Sequence, residues 1–240
     1  MAILKAEDLH KSYGKKEVVK GITINVKSGE IVGLLGPNGA GKTTTFYMIM
    51  GEITPDKGRI YLDDIEITGL PMYKRARLGL SYLPQEPSIF QKLTVFDNIF
   101  AILEYRDVPR EEALKAAEEY LKMMEIYGLK DQPAYTLSGG ERRRLEVARA
   151  LALNPKILLL DEPFTGVDPK TRQEIQDIII GLKNINIGIL VTDHNVRETL
   201  EITDRAYIIY KGEILIEGNS QELIVNEEAK KIYLGERFRL

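Results

Sequence analysis

The sequence predicts an α/β fold: a mostly parallel sheet flanked by helices, with an antiparallel β subdomain at the start and an inserted α-helical subdomain near the middle. Three observations carry this. Short apolar runs, IVGLLG at 31–36, ILLL at 157–160 and IGILVT at 187–192, read as strands buried on both faces, as a parallel sheet requires. Helical segments alternate with them, the pattern of a layered βα architecture. Residues 1–30 instead alternate apolar with polar, with Ile3, Leu9, Ile22, Ile24 and Val26 as the apolar members, and read as short antiparallel strands.

Composition bounds the function. The chain has 240 residues, 33 basic against 36 acidic, for a net charge of −3. That balance argues against bulk nucleic-acid binding, and no nucleic acid is expected as a partner. The absence of cysteine excludes disulfides, thiolate metal sites and thiol catalysis. The charged opening MAILKAEDLHKSYGKK lacks the apolar core of a signal peptide, and no run approaches the length of a membrane span. Any membrane role is therefore expected to come through partners.

The elements follow in order. Gly41 to Met50 reads as a helix closed by Gly51, and Arg59 to Leu62 as a strand. From about 86 to 148 the period becomes helical. In PREEALKAAEEYLKMMEIYG, Leu114, Ala117, Leu121 and Met124 recur at helical spacing, with Pro109, Glu111 and Glu112 marking a start and Gly128 a stop. Residues 169–182 form an amphipathic helix with Asp168 as N-cap and Pro169 at its first position. A short helix is expected near 195–202, a hairpin at 206–218 turning at Lys211-Gly212, and a helical tail from 220. The whole is expected as one domain: core 1–85 and 150–220, helical insert about 86–149, and tail 220–240.

The chemistry begins at the first strand–helix junction. Gly36-Pro37-Asn38-Gly39-Ala40-Gly41-Lys42-Thr43 matches G-x-x-x-x-G-K-[ST], with a strand before it and a helix running on through Thr44. The glycines let successive N–H groups turn inward as an anion nest at a helix N-terminus. Lys42 supplies a point charge to the β- and γ-phosphates, and the Thr43 hydroxyl is offered to Mg²⁺. The strand ILLLD ends in Asp161 and Glu162, acids at a carboxyl end beside the loop. Asp161 is suited to hold Mg²⁺ through water, and Glu162 to polarise a water towards the γ-phosphorus.

Leu137-Ser138-Gly139-Gly140-Glu141 then decides among P-loop NTPases. It resembles the LSGGQ signature of ABC ATPases, with Glu141 in place of Gln, and it opens a second anion-binding helix N-terminus. A P-loop kinase would leave this segment unexplained. The resemblance covers nearly the whole chain and implies a RecA-like core, ATP and Mg²⁺ as ligands, and ATP hydrolysis. It also implies a head-to-tail dimer of two copies, in which Ser138, Gly139, Gly140, Glu141 and the D-loop Asp168 of one subunit close on the nucleotide of the other. By the same resemblance Tyr13 stacks on adenine, Gln85 in YLPQEPSIF touches Mg²⁺ and the attacking water, and His194 is the switch histidine at the γ-phosphate. Arg142, Arg143 and Arg144 follow the signature as either a solvated charged face or a partial balance for phosphate.

Within the family, GKTTTFYMI (41–49), YLPQEPSIFQKLTVFDNI (82–99), LSGGERRRLEVARAL (137–151) and YLGERFRL (233–240) look most like the ATPase of lipopolysaccharide export; Glu141 and the terminal ERFRL are the most specific parts. This likeness implies two transmembrane permease subunits as partners and a place on the cytoplasmic face of the inner membrane. Branched-chain amino-acid importer ATPases share much of the pattern, and a cluster-assembly ABC ATPase is the non-transport alternative. Phe90 and Leu93, in a turn-rich stretch after Gln85, read either as local core or as a groove accepting a short helix from a membrane partner.

Overall fold

A computed structural model describes residues 1–86 and 88–235; Pro87 and residues 236–240, the ERFRL end of the expected tail, lie outside the described residues. The opening alternation folds as two long strands rather than several short ones: β1 (Ile3–Tyr13) and β2 (Lys16–Lys27) form an antiparallel hairpin. Register shifts between Ala6 and Leu9, Leu9 and His10, and Lys11 and Ser12 absorb the irregular alternation and curl the ribbon. With β4 (Lys57–Leu62) and the two-residue β5 (Ile65–Glu66) they make a four-stranded antiparallel sheet in the order β2-β1-β4-β5.

The second sheet has six strands in the order β10-β9-β3-β8-β7-β6. Its members are β3 (Ile31–Leu35), β6 (Leu80–Leu83), β7 (Ile157–Asp161), β8 (Gly188–Thr192), β9 (Arg205–Tyr210) and β10 (Glu213–Gly218). All pair in parallel except β10, which returns antiparallel along β9 through the Lys211-Gly212 turn; both turn residues have positive φ, 50° and 90°. Every residue of β3, β7 and β8 is buried, which explains why their sequences show no alternation.

Successive side chains leave the central sheet on opposite faces. Val32, Leu34, Ile157, Leu159 and Leu190 pack with the antiparallel sheet and α1 (Lys42–Met50) in one apolar cluster. Ile31, Leu158, Leu160, Ile189 and Val191 face α6 (Pro169–Asn184) and three further helices. Those three are α3 (Val95–Tyr105), α4 (Arg110–Met123) and α5 (Gly139–Ala152), and they share that lower cluster with the sheet.

Three expectations are corrected here. α4 ends at Met123, not Gly128: Glu125 turns left-handed at φ 58° and the Ile126 N–H bonds back to Leu121 O, so buried Ile126 folds under the helix end. Its buried stripe carries Ala113 with Ala117, Leu121 and Met124, while Leu114 is exposed. Between α4 and α5 the chain is a series of turns with two 3₁₀ segments, Tyr127–Leu129 and Ala134–Thr136, rather than continuous helix. The structure adds α2 (Met72–Leu78), which runs into β6; α7 (Val196–Ile202) and α8 (Ser220–Val225) fall where helices were expected.

Candidate nucleotide-binding site

The loops leaving the carboxyl ends of β3, β7 and β8 converge above the central sheet. The turn after β3 admits only glycine at its start: Gly36 has φ 146°, and a Cβ there would sit 2.2 Å from Ile209 O. Gly41, at φ 108°, caps α1, and a Cβ there would meet Val18 O at 2.8 Å. The loop is therefore pressed against β2 and β9, and the Ala40 N–H closes a turn inside it by donating to Pro37 O at 3.2 Å. Lys42 Nζ donates to Gly36 O at 2.6 Å and Pro37 O at 3.1 Å, folding the ammonium into the loop. Burial lowers its pKa from the usual lysine value, and the Glu162 charge opposes that shift. A cavity of about 150 Å³ lies over residues 38–44, closed on its far side by Glu162 and His194.

Asp161 is the last residue of β7, 7% exposed, and pairs with Thr192 of β8. Burial raises its carboxyl pKa; a hydrogen bond from the Tyr82 hydroxyl opposes the shift, and the charge of Glu162 adds to it. Glu162 then leaves the strand line. Its N–H donates to Thr192 O at 2.7 Å and its φ is 45°, a left-handed turn that separates its side chain from that of Asp161. Glu162 Oε2 lies 3.3 Å from His194 Nδ1 and accepts from Thr165 Oγ1 at 3.3 Å, while Thr165 Oγ1 is 3.4 Å from His194 Nε2. The turn that presents His194 is set by fully buried Asp193, which accepts from the N–H groups of Phe164 (2.9 Å) and Asn195 (2.8 Å).

The signature segment stands apart from this cavity. Ser138 caps α5 in a reciprocal box: its N–H and hydroxyl donate to Glu141 Oε2 at 2.8 and 2.6 Å, and its Oγ accepts from Glu141 N–H at 3.4 Å. Those bonds hold the Glu141 carboxyl below its usual pKa. Gly139 lines a second cavity of about 350 Å³ with Gln85, Gly166 and Asp168, and Glu162 borders both cavities. Asp168 caps α6, accepting from Lys170 and Thr171 N–H at 3.0 and 3.2 Å. Thus Lys42, Thr43, Glu162 and His194 come together in one chain, whereas Gln85, Gly139 and Asp168 gather on the other side of Glu162. Tyr13 sits at the end of β1 opposite Lys16, half-exposed, and lines neither cavity.

Phe90 is 46% exposed and Leu93 is also exposed, so neither is packed as core. The guanidinium of Arg149 lies 4.5 Å from the Phe90 ring, and buried Asn98 brackets the Phe90 backbone, accepting from its N–H at 2.8 Å and donating to its carbonyl at 3.0 Å. Arg142, Arg143 and Arg144 do not form a solvated face. They fold back onto Leu137 O, onto Pro84 O and Glu146, and onto Met124 O and Glu125. Thr165, Asp193, Asn98 and Arg149 escaped sequence reasoning, since none belongs to a spaced motif.

A glycine loop between a buried strand and a helix, with a buried carboxylate ending the strand two places along the same sheet, defines a P-loop nucleotide-binding protein. The chain belongs to the ABC transporter family, whose profile matches residues 19–165, and it is the ATP-binding, ATP-hydrolysing component. It is 52% identical, over the full length of both chains, to the lipopolysaccharide export system ATP-binding protein LptB of Escherichia coli strain K12. Its fold is similar to the ATP-binding cassette MJ1267 in its ADP conformation (TM-score 0.86, 29% identity, 98% of this chain and 100% of the other). It is also similar to MJ0796, solved as a dimer in a post-hydrolysis state with ADP and phosphate (TM-score 0.75, 28% identity, 90% and 98% covered). Among the described residues no helix is long and apolar enough to cross a membrane.

Proposed function

We propose that this chain is the ATPase of a lipopolysaccharide export system, peripheral on the cytoplasmic face of the inner membrane, driving two transmembrane permease subunits. The full-length identity to LptB supports the cargo. The observation that carries the chemistry is Glu162, held 3.3 Å from His194 across the phosphate-loop cavity from Lys42.

In this reading Gly36–Thr44 cradle the phosphates of ATP, and Lys42 exchanges its two loop carbonyls for phosphate oxygens. Glu162 orients a water in line with the γ-phosphorus and takes its proton, while His194 and Thr165 fix the carboxylate and His194 reaches the γ-phosphate. Tyr13 stacks on the adenine. Mg²⁺ fits this donor set: Asp161 is a buried carboxylate with no ion-pair partner among the described residues, and the Thr43 hydroxyl and Gln85 amide complete it with phosphate oxygens. No cluster of three or more acidic, His or Cys ligands occurs among the described residues, as suits a metal held largely by substrate. When bound, Mg²⁺ would neutralise the charge developing between the β- and γ-phosphates.

The separation of the signature helix from the phosphate loop within one chain supports a head-to-tail dimer, with the partner subunit's Ser138, Gly139, Gly140, Glu141 and Asp168 completing each site. Phe90 and Leu93 would anchor a helix of a permease subunit. The test is replacement: expression in E. coli depleted of its LptB should restore lipopolysaccharide at the cell surface, with the host permease subunits co-purifying. Failure to rescue, together with capture of an amino-acid permease, would assign the chain to importers instead.

A further inference from the structure

We propose that Tyr82 is a positioning residue for Asp161: a neutral phenol donor that fixes one carboxylate oxygen and leaves the other free for the metal. The proposal rests on the reading of Asp161 as the residue that holds Mg²⁺.

Tyr82 lies on β6, beside β7, and its hydroxyl donates to Asp161 Oδ2 at 3.3 Å. The phenol of Tyr47, on α1, has its pKa raised by burial first and then by the charge of Asp161, so it stays neutral beside that carboxylate. Both phenols are partly buried, and a buried hydroxyl needs a partner. The choice of donor matters. A lysine or arginine at this place would neutralise Asp161 and compete with a dication. A phenol orients the carboxylate while leaving its full negative charge.

The two tyrosines also sit on the elements that carry the other candidate metal donors. Tyr47 lies one turn along α1 from Thr43, and Tyr82 lies on the strand that leads into Gln85. Pure packing would be an insufficient role for Tyr82. Its edge-to-face contact with Phe46, centroids 6.0 Å apart, needs only the ring.

The experiment uses the full chain with Tyr82→Phe, Tyr47→Phe and both together, which keep the rings and delete the hydroxyls. A fluorescent ATP analogue is titrated in EDTA and again against rising Mg²⁺, with thermal melts alongside. Positioning predicts metal-free affinity and melting temperature near wild type. The Mg²⁺ concentration for half-maximal gain should rise about 3- to 10-fold for Tyr82→Phe and for the pair, and stay near wild type for Tyr47→Phe, which serves as the control. An unchanged Mg²⁺ requirement in Tyr82→Phe overturns the proposal, as does an equal loss of affinity in EDTA. Asp161→Asn separates the two layers of the argument. If it keeps the Mg²⁺ gain, the metal reading fails and this inference with it. If it abolishes the gain while Tyr82→Phe leaves the Mg²⁺ requirement unchanged, the inference alone falls.

Discussion

Glu162 is the residue where backbone and chemistry meet. A non-glycine residue at φ 45° is strained by about 1 kcal/mol, and the turn is what swings its carboxylate from the strand axis to His194. Glu162→Gln keeps the shape and loses the base. ATP should still bind and the variant should elute as a dimer with Mg-ATP, while turnover falls about 10²- to 10⁴-fold; a phosphate-release assay with size-exclusion chromatography checks both. Tyr13 is a second case. If adenine stacks on it, Tyr13→Ala should weaken nucleotide binding by about 1–3 kcal/mol and Tyr13→Phe should be nearly silent, read by calorimetry. Equal losses would implicate the hydroxyl instead. Lys42, Asp161, Glu162 and His194 were legible because fixed spacing and strand ends announce them. Thr165 and Asp193 were not, because each acts through a partner far along the chain: Thr165 on His194, Asp193 on the Phe164 amide. Only the folded sheet reveals those pairs.

At the scale of elements, α1 is held at both ends. Its N-terminus is the phosphate loop. Its C-terminus receives the guanidinium of Arg75, 1% exposed, which donates to the carbonyls of Met48, Ile49, Thr68 and Leu70 at 2.6–2.8 Å. Burial pushes this arginine's pKa down to about 10, so it stays charged at neutral pH and complements the helix dipole. Lysine cannot reproduce the fork. Arg75→Lys should lower stability by about 2–4 kcal/mol in urea melts, because buried carbonyls lose their donors. Phe90 tests the opposite kind of site. Phe90→Ala should leave melting and basal hydrolysis near wild type while binding to the permease subunits weakens by about 2 kcal/mol or more. An early melt would make Phe90 structural, and unchanged affinity would place docking elsewhere. Most elements were readable from periodicity and caps, such as α6 behind Asp168-Pro169. The four-residue β6 and the short α2, flanked by Pro71 and Gly79 without a side-chain cap, gave too little pattern to declare themselves. Leu114 misled because alanines at 113 and 117 let α4 approach its neighbours closely, so the larger side chain turns outward.

For the whole molecule, the division of the site across Glu162 makes a definite demand on assembly. A Lys42→Ala chain has a defective phosphate loop and a sound signature; a Ser138→Arg chain is the reverse. Each alone should be inactive. Mixed in equal amounts, they should recover roughly a quarter of wild-type hydrolysis, since half the dimers are mixed and each of those has one sound composite site. No recovery would mean that each subunit works with its own signature.

The pairing of β3 has a consequence for how the chain is made. This strand, Ile31–Leu35, carries the phosphate loop, yet both its neighbours, Gly188–Thr192 and Arg205–Tyr210, lie near the other end of the sequence. During synthesis an apolar strand with two open edges must wait until most of the polypeptide has left the ribosome before either edge can close. The antiparallel hairpin beside it, whose contacts are local, can form early and shield one face in the meantime. Stalled or truncated translation products ending before residue 188 would therefore keep the nucleotide-binding strand unpaired, and they are the species that should depend most on chaperones.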